Sequence, residues 1–142
     1  MIIIIDSNVT IAALIKDSIT RKIIVDLYPH AYYPEAMASE IEKYKGTIRE
    51  KANITEHEFY GAYQKLFKYI KIIPDEEIIK HKNEAKRMMK DIDSADHLLL
   101  AAAFYFKDVC IWSNDPHLKQ QNKIVTYTTA EMIKKIKGFL SK

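Results

Sequence analysis

Apolar positions in this chain fall into short β-type runs separated by longer segments with helical spacing. Ile2 to Ile5 is a run of β-branched residues, the pattern of a strand covered on both faces. Val109 to Trp112 is a second run, closed by the strand terminator Ser113-Asn114-Asp115-Pro116. Tyr69 to Ile73, closed by Pro74, and Ile124 to Tyr127 are two more, and a weaker run, Ala31 to Tyr33, lies between Pro29 and Pro34. Helices are predicted over Asn8 to Ile15 and Thr20 to Tyr28, and from Pro34, a residue suited to a helix start, to about Lys45. Thr55-Glu56-His57-Glu58 reads as a capping box opening a helix that reaches about Lys68. Asp75 to Lys90 begins with acids and ends with bases, as the helix dipole favours. Ser94 to Phe106 is apolar nearly all round and is predicted to be a buried helix. Thr128-Thr129-Ala130-Glu131 is a second capping box, for a lysine-rich last helix. Lys45 to Asn53 reads as an irregular connection between two helices.

Strands alternating with helices predict an α/β fold with a mainly parallel sheet, in a single domain over residues 1–142 without linker or repeat. The composition, 48% apolar and 29% charged, is that of a globular protein. Gly46, Gly61 and Gly138 are too scattered to form a phosphate-cradling loop, which excludes P-loop and dinucleotide-binding fingerprints. A lone cysteine, Cys110, excludes an internal disulfide and a cysteine-based zinc cluster. The longest apolar run, Leu98 to Phe106, is far short of a membrane span, and no signal segment stands out, so the default expectation is a cytosolic protein with no membrane partner.

The acids carry the chemistry. Asp6 directly follows the first strand, and ligands of open α/β sheets bind beyond the carboxyl ends of the strands. It is equally placed to cap the next helix. Asp115 holds the same position after the Val109 to Trp112 strand, where it also suits a turn. On the helix after Pro34, Met37, Ile41 and Tyr44 form the apolar stripe, and the spacing sets Glu40 on that inward face or at its edge. Asp96, with Asp93 ahead of it, lies in the first turn of the buried helix, where capping is the alternative role. That helix must run back against the next strand, which brings its start to the carboxyl edge of the sheet. Asp6, Glu40, Asp96 and Asp115 are therefore expected near one rim. Clustered carboxylates repel unless cations neutralise them, and oxygen ligands suit Mg²⁺ or Mn²⁺. A pair of such ions about 3.5–4 Å apart is the usual apparatus of phosphodiester hydrolysis.

The motif set resembles the PIN-domain ribonucleases and, more narrowly, the VapC-like toxins of toxin–antitoxin pairs. Carrying the resemblance are Ile3-Ile4-Ile5-Asp6-Ser7-Asn8, Ser39-Glu40-Ile41, Asp93-Ser94-Ala95-Asp96-His97 with the apolar run after it, and Ile111-Trp112-Ser113-Asn114-Asp115. It implies a five-stranded sheet ordered 3-2-1-4-5, Mg²⁺- or Mn²⁺-dependent cleavage of RNA, a homodimer and an antitoxin protein as partner. It also implies that Asp6, Glu40, Asp96 and Asp115 are the catalytic, metal-holding quartet. Asn8 matches a residue supporting the first acid, Ser113 a hydroxyl near the last, and Asp93 an extra acid of some members.

Other chemistries fit less well. A haloacid-dehalogenase-like phosphatase needs a second Asp two residues after the first, where this chain has Asn8. His30, His57, His81, His97 and His117 show no metal-ligand spacing. A non-enzymatic interaction module, with the acids as caps or as a docking surface for a basic partner or RNA, is the competing function. The formal net charge is only +3. With the four acids set aside as a cation site, the rest of the chain is distinctly basic, which suits a protein that draws a polyanion across an acidic cleft.

Overall fold

The computed structural model describes residues 1–15, 18–88 and 94–140, apart from the side chains at 88, 94–96 and 139–140. Five strands form one sheet: β1 (Ile2–Ile5), β2 (Ala31–Pro34), β3 (Lys71–Ile73), β4 (Val109–Trp112) and β5 (Thr126–Tyr127). Every pairing is parallel, and the order is β3-β2-β1-β4-β5, as the resemblance implied. β1 is central, with Ile3 facing Ala31 on one side and Cys110 on the other. Ile3, Ile4 and Ile5 are all buried although successive side chains point to opposite faces, so both faces of β1 are covered.

Helices cover the sheet in two groups. α1 (Ser7–Ile15) touches α2 (Ser18–Asp26), α3 (Glu35–Lys43), α4 (Lys45–Ala52) and α5 (Glu56–Leu66), and the last helix, α9 (Thr129–Leu140), meets α2 and β5. The second group is α6 (Asp75–Ile78), α7 (Lys82–Met88) and α8 (Ser94–Phe104), with α8 laid across β1, β2 and β4. Leu99 to Ala103 are all buried, which fits the apolar run of that helix. Both capping boxes form: Thr55 with Glu58, and Thr128 with Glu131.

Three expectations change. Lys45 to Asn53 is not irregular but contains α4. Ile48 and Ala52, four apart, are its buried residues, and Asn53 ends it in the left-handed conformation at φ 55°. Two apolar contacts in a polar segment are a weak pattern, and the packing against α1 supplies the rest. The helix expected over Asp75 to Lys90 is broken by a 3₁₀ turn at Ile79–His81, and residues 89 and 90 lie outside the described chain. The polar stretch Lys80 to Asn83 buries no apolar side chain, so nothing there holds the wider α-helical turn. Tyr44 does not extend the inward stripe of α3. It ends that helix at φ −93° and ψ 9°, where the chain turns into α4, and it is 49% exposed.

Candidate active site at the β1–β4 edge

In the order β3-β2-β1-β4-β5 the chain leaves β1 toward β2 and later returns on β1's other side as β4. The crevice beyond the carboxyl ends of these two strands is the switch point of the sheet, where α/β proteins bind ligands. Asp6 sits there. Its amide donates to Trp112 O at 2.9 Å, one step past the last residue of β1, and its carbonyl accepts from Val9 and Thr10 to start α1. Both ends of its peptide unit are thus fixed, one to the sheet and one to the helix.

Three donors hold the Asp6 carboxylate, and all three are neutral. The Ser7 amide donates to Oδ1 at 2.6 Å, and the Ser113 hydroxyl and the Asn8 amide donate to Oδ2 at 2.6 and 3.1 Å. A helix-capping side chain bonds the second or third helical amide, whereas Asp6 takes the first, so capping does not describe it. Its carboxyl is pushed above the usual aspartate value, first by burial, with the charges of Asp115 and Glu40 adding to the rise. The bonds from Ser113 and Ser7 pull the other way. A buried carboxylate repelled by two others is an environment that favours either a proton or a cation.

Asp115 follows β4. Its amide donates to Ser113 Oγ at 3.0 Å, and its carboxylate accepts from the His117 amide at 2.9 Å, capping the 3₁₀ turn Pro116–Gln120. The turn role considered for it is therefore real, and it coexists with its electrostatic contact to Asp6. Ser113 joins the two acids, accepting from one backbone and donating to the other carboxylate. The exposed His117 places Nδ1 3.3 Å from Asp115. Glu40 is half-buried at the edge of the α3 stripe, beside fully buried Met37 and Ile41, and its Oε2 accepts from Ser7 Oγ at 3.1 Å.

β1, α3 and the end of β4 thus carry Asp6, Glu40 and Asp115 to one rim of the sheet, near enough for the charges of Glu40 and Asp115 to act on Asp6, with Asn8 and Ser113 bonded to Asp6. Asp96 is the third residue of α8, and its side chain is outside the described set; Asp93 lies wholly outside the described residues. Ser7 and Tyr33 were not anticipated as site residues. A serine next to an acid and a tyrosine in a strand are both ordinary, and only the tertiary fold brings the Ser7 hydroxyl to Glu40 and the Tyr33 hydroxyl to Ser7 and the Met37 carbonyl.

Among the described residues, no three of His, Cys, Asp and Glu converge closely enough to hold an ion between them. The donor set nevertheless fits a hard divalent cation. Mg²⁺ keeps several waters and is commonly held by one or two carboxylates, and all three acids here offer oxygen. The basic residues weighed as polyanion contacts divide. Lys45 pairs with Glu42 and Glu56, and Arg49 lies 3.8 Å from Glu56, whereas Lys43, Lys51, Lys86 and Arg87 are exposed. Lys90 lies outside the described residues. Cys110 and Trp112 are core residues. A groove of about 460 Å³ opens elsewhere, between α1, α2 and α5, and none of Asp6, Glu40 and Asp115 lines it.

A five-stranded all-parallel sheet in the order β3-β2-β1-β4-β5, flanked by helices, is a PIN-like α/β fold. A family model of the PIN domain matches residues 4–135, and the chain belongs to the PIN-domain family. PIN domains are generally nucleases, and they typically use divalent metals. No curated protein and no solved structure matches the chain. Among the described residues, no helix is long and apolar enough to cross a membrane.

Proposed function

We propose that this PIN-domain protein is a Mg²⁺- or Mn²⁺-dependent ribonuclease that hydrolyses RNA phosphodiester bonds, with Asp6, Glu40, Asp96 and Asp115 holding the cation. What supports the reading is the buried Asp6 carboxylate at the switch point of the sheet, repelled by the charges of Asp115 and Glu40 and held by neutral donors where a basic partner would otherwise balance the charge. A bound cation supplies water activation and neutralises charge on the phosphate. The chain's own residues do the positioning. Ser113 and Asn8 fix the Asp6 carboxylate, and the 3₁₀ turn after Asp115 fixes the last acid. Asp93 is assigned a supporting role on the family resemblance.

The narrower reading, the toxin of a VapBC-type pair acting in the cytoplasm as a homodimer with an antitoxin protein, rests on the motif resemblance. The neighbouring reading frame and the elution volume of the purified protein test it.

The direct experiment incubates purified protein and Asp6→Asn with single-stranded RNA and Mg²⁺ or Mn²⁺. Wild type cleaves, and the variant loses at least about 100-fold in rate, the scale of removing a group that holds the charge of the transition state. Equal cleavage by both removes Asp6 from the site. Wild-type protein that neither cleaves RNA nor binds millimolar Mn²⁺ favours the non-enzymatic module instead.

A further inference from the structure

Ser7 opens α1, is buried, and touches two carboxylates at once. Its amide donates to Asp6 Oδ1 at 2.6 Å, and its hydroxyl donates to Glu40 Oε2 at 3.1 Å. Behind it stands Tyr33 of β2, whose side chain is 0% exposed. The Tyr33 hydroxyl lies 2.7 Å from Ser7 Oγ and donates to the Met37 carbonyl at 3.0 Å, one turn before Glu40 on α3. Its ring meets Phe67 edge-on at 5.8 Å, which fixes the phenol from the other side.

Two hydroxyl protons serve three gaps in this chain: Tyr33 to Met37, Tyr33 to Ser7, and Ser7 to Glu40. When the phenol donates to Ser7, the Ser7 proton has Glu40 as its acceptor. When the phenol turns to Met37, the Ser7 proton has two acceptors, the Tyr33 oxygen and Glu40 Oε2, and the charged carboxylate is the stronger one. Three separate elements, α1, β2 and α3, therefore converge on a hydroxyl that faces one carboxylate oxygen of Glu40. A half-buried glutamate with several rotatable bonds samples many poses. A donor on Oε2 selects one of them and leaves Oε1 available.

We propose that Ser7 is a positioning residue that presents Glu40 to the cation site at a set separation from Asp6, and that Tyr33 is the buried anchor holding the Ser7 hydroxyl. This rests on the ribonuclease reading and assigns how that site keeps its geometry. Partners standing behind metal-holding side chains typically matter by about 10–100-fold in metal affinity or activity. The lower end applies to one neutral hydroxyl.

The test measures Mn²⁺ affinity by calorimetry, kcat and KM on single-stranded RNA, and thermal melting for Ser7→Ala, Ser7→Thr, Tyr33→Phe and Glu40→Gln. Ser7→Ala weakens Mn²⁺ binding and lowers kcat by about 10-fold, with KM for RNA unchanged. Ser7→Thr, which keeps the hydroxyl, recovers most of both, and Tyr33→Phe falls between. A folded Ser7→Ala with wild-type Mn²⁺ affinity and kcat overturns the proposal, as does a folded Ser7→Thr that is no better than alanine. Glu40→Gln separates this from failure of the nuclease reading. If wild type binds Mn²⁺ and cleaves while Glu40→Gln does neither, the reading stands and the Ser7 series judges the inference. If wild type cleaves and Glu40→Gln equals it, Glu40 is not in the site and the inference falls while the nuclease activity stands; if wild type neither binds Mn²⁺ nor cleaves, the ribonuclease reading falls and the inference with it.

Discussion

At the scale of single residues, the Asp6 carboxyl sets function against stability. Its folded-state value lies above the ordinary aspartate value of 3.8, chiefly through burial. The folded state therefore binds that proton more tightly than the unfolded chain does. The associated stability is full below 3.8 and is lost as pH rises through the raised folded value. Without metal, the ionised form of Asp6 is therefore the one the fold disfavours. Metal-free Asp6→Asn should accordingly melt above wild type at pH 7. The gap should close toward pH 3. Mn²⁺ should raise the melting temperature of wild type and leave the variant unchanged. A differential scanning measurement checks all three; a variant that melts below wild type would mean that the Ser7, Asn8 and Ser113 bonds outweigh the burial of the charge.

Elements show where local signals suffice. The Thr128–Glu131 box starts α9, and Glu131 also reaches Lys119 on the 3₁₀ turn after Asp115. The Lys119 ammonium, with the Thr128 amide behind it, holds the Glu131 carboxyl down at about 2. Because this value lies below the unfolded 4.5, the stabilisation is present above 4.5 and is lost as pH falls toward 2. Melting curves of Glu131→Gln against wild type should differ at pH 7, converge between pH 4.5 and 2, and differ less in high salt. A gap that does not change with pH would assign the effect to the cap alone. The capping boxes were legible because each is a local sequence device with a fixed spacing. α4 was not, since Ile48 and Ala52 signal a helix only once α1 is there to receive them.

For the whole molecule, the net charge of +3 combines an acidic crevice with a surface richer in lysine than the total suggests. Lys43, Lys51, Lys86 and Arg87 are exposed and available to phosphates. On the ribonuclease reading, RNA binding by the cleavage-deficient Asp6→Asn variant should weaken with salt, log K falling linearly with log salt concentration as counterions are released. Fluorescence anisotropy of a labelled oligonucleotide measures the slope, and a flat response would point away from a polyanion ligand.

The sequence by itself determined the elements whose signals are short-range. The β-branched run of β1 called for two covered faces, the strand terminator after Trp112 ended β4, and Thr55 and Thr128 marked helix starts. It also placed Asp6 and Asp115 just past strand ends, because that position is one of sequence order alone. The tertiary structure decided which donors hold those acids. Ser113 reaches Asp6 because β4 lies beside β1, and Ser7 reaches Glu40 because Tyr33 ties α1, β2 and α3 together. Hydrogen bonds between residues 26, 33 and 107 positions apart have no sequence period to betray them. They exist only when the sheet order brings separate elements to one edge.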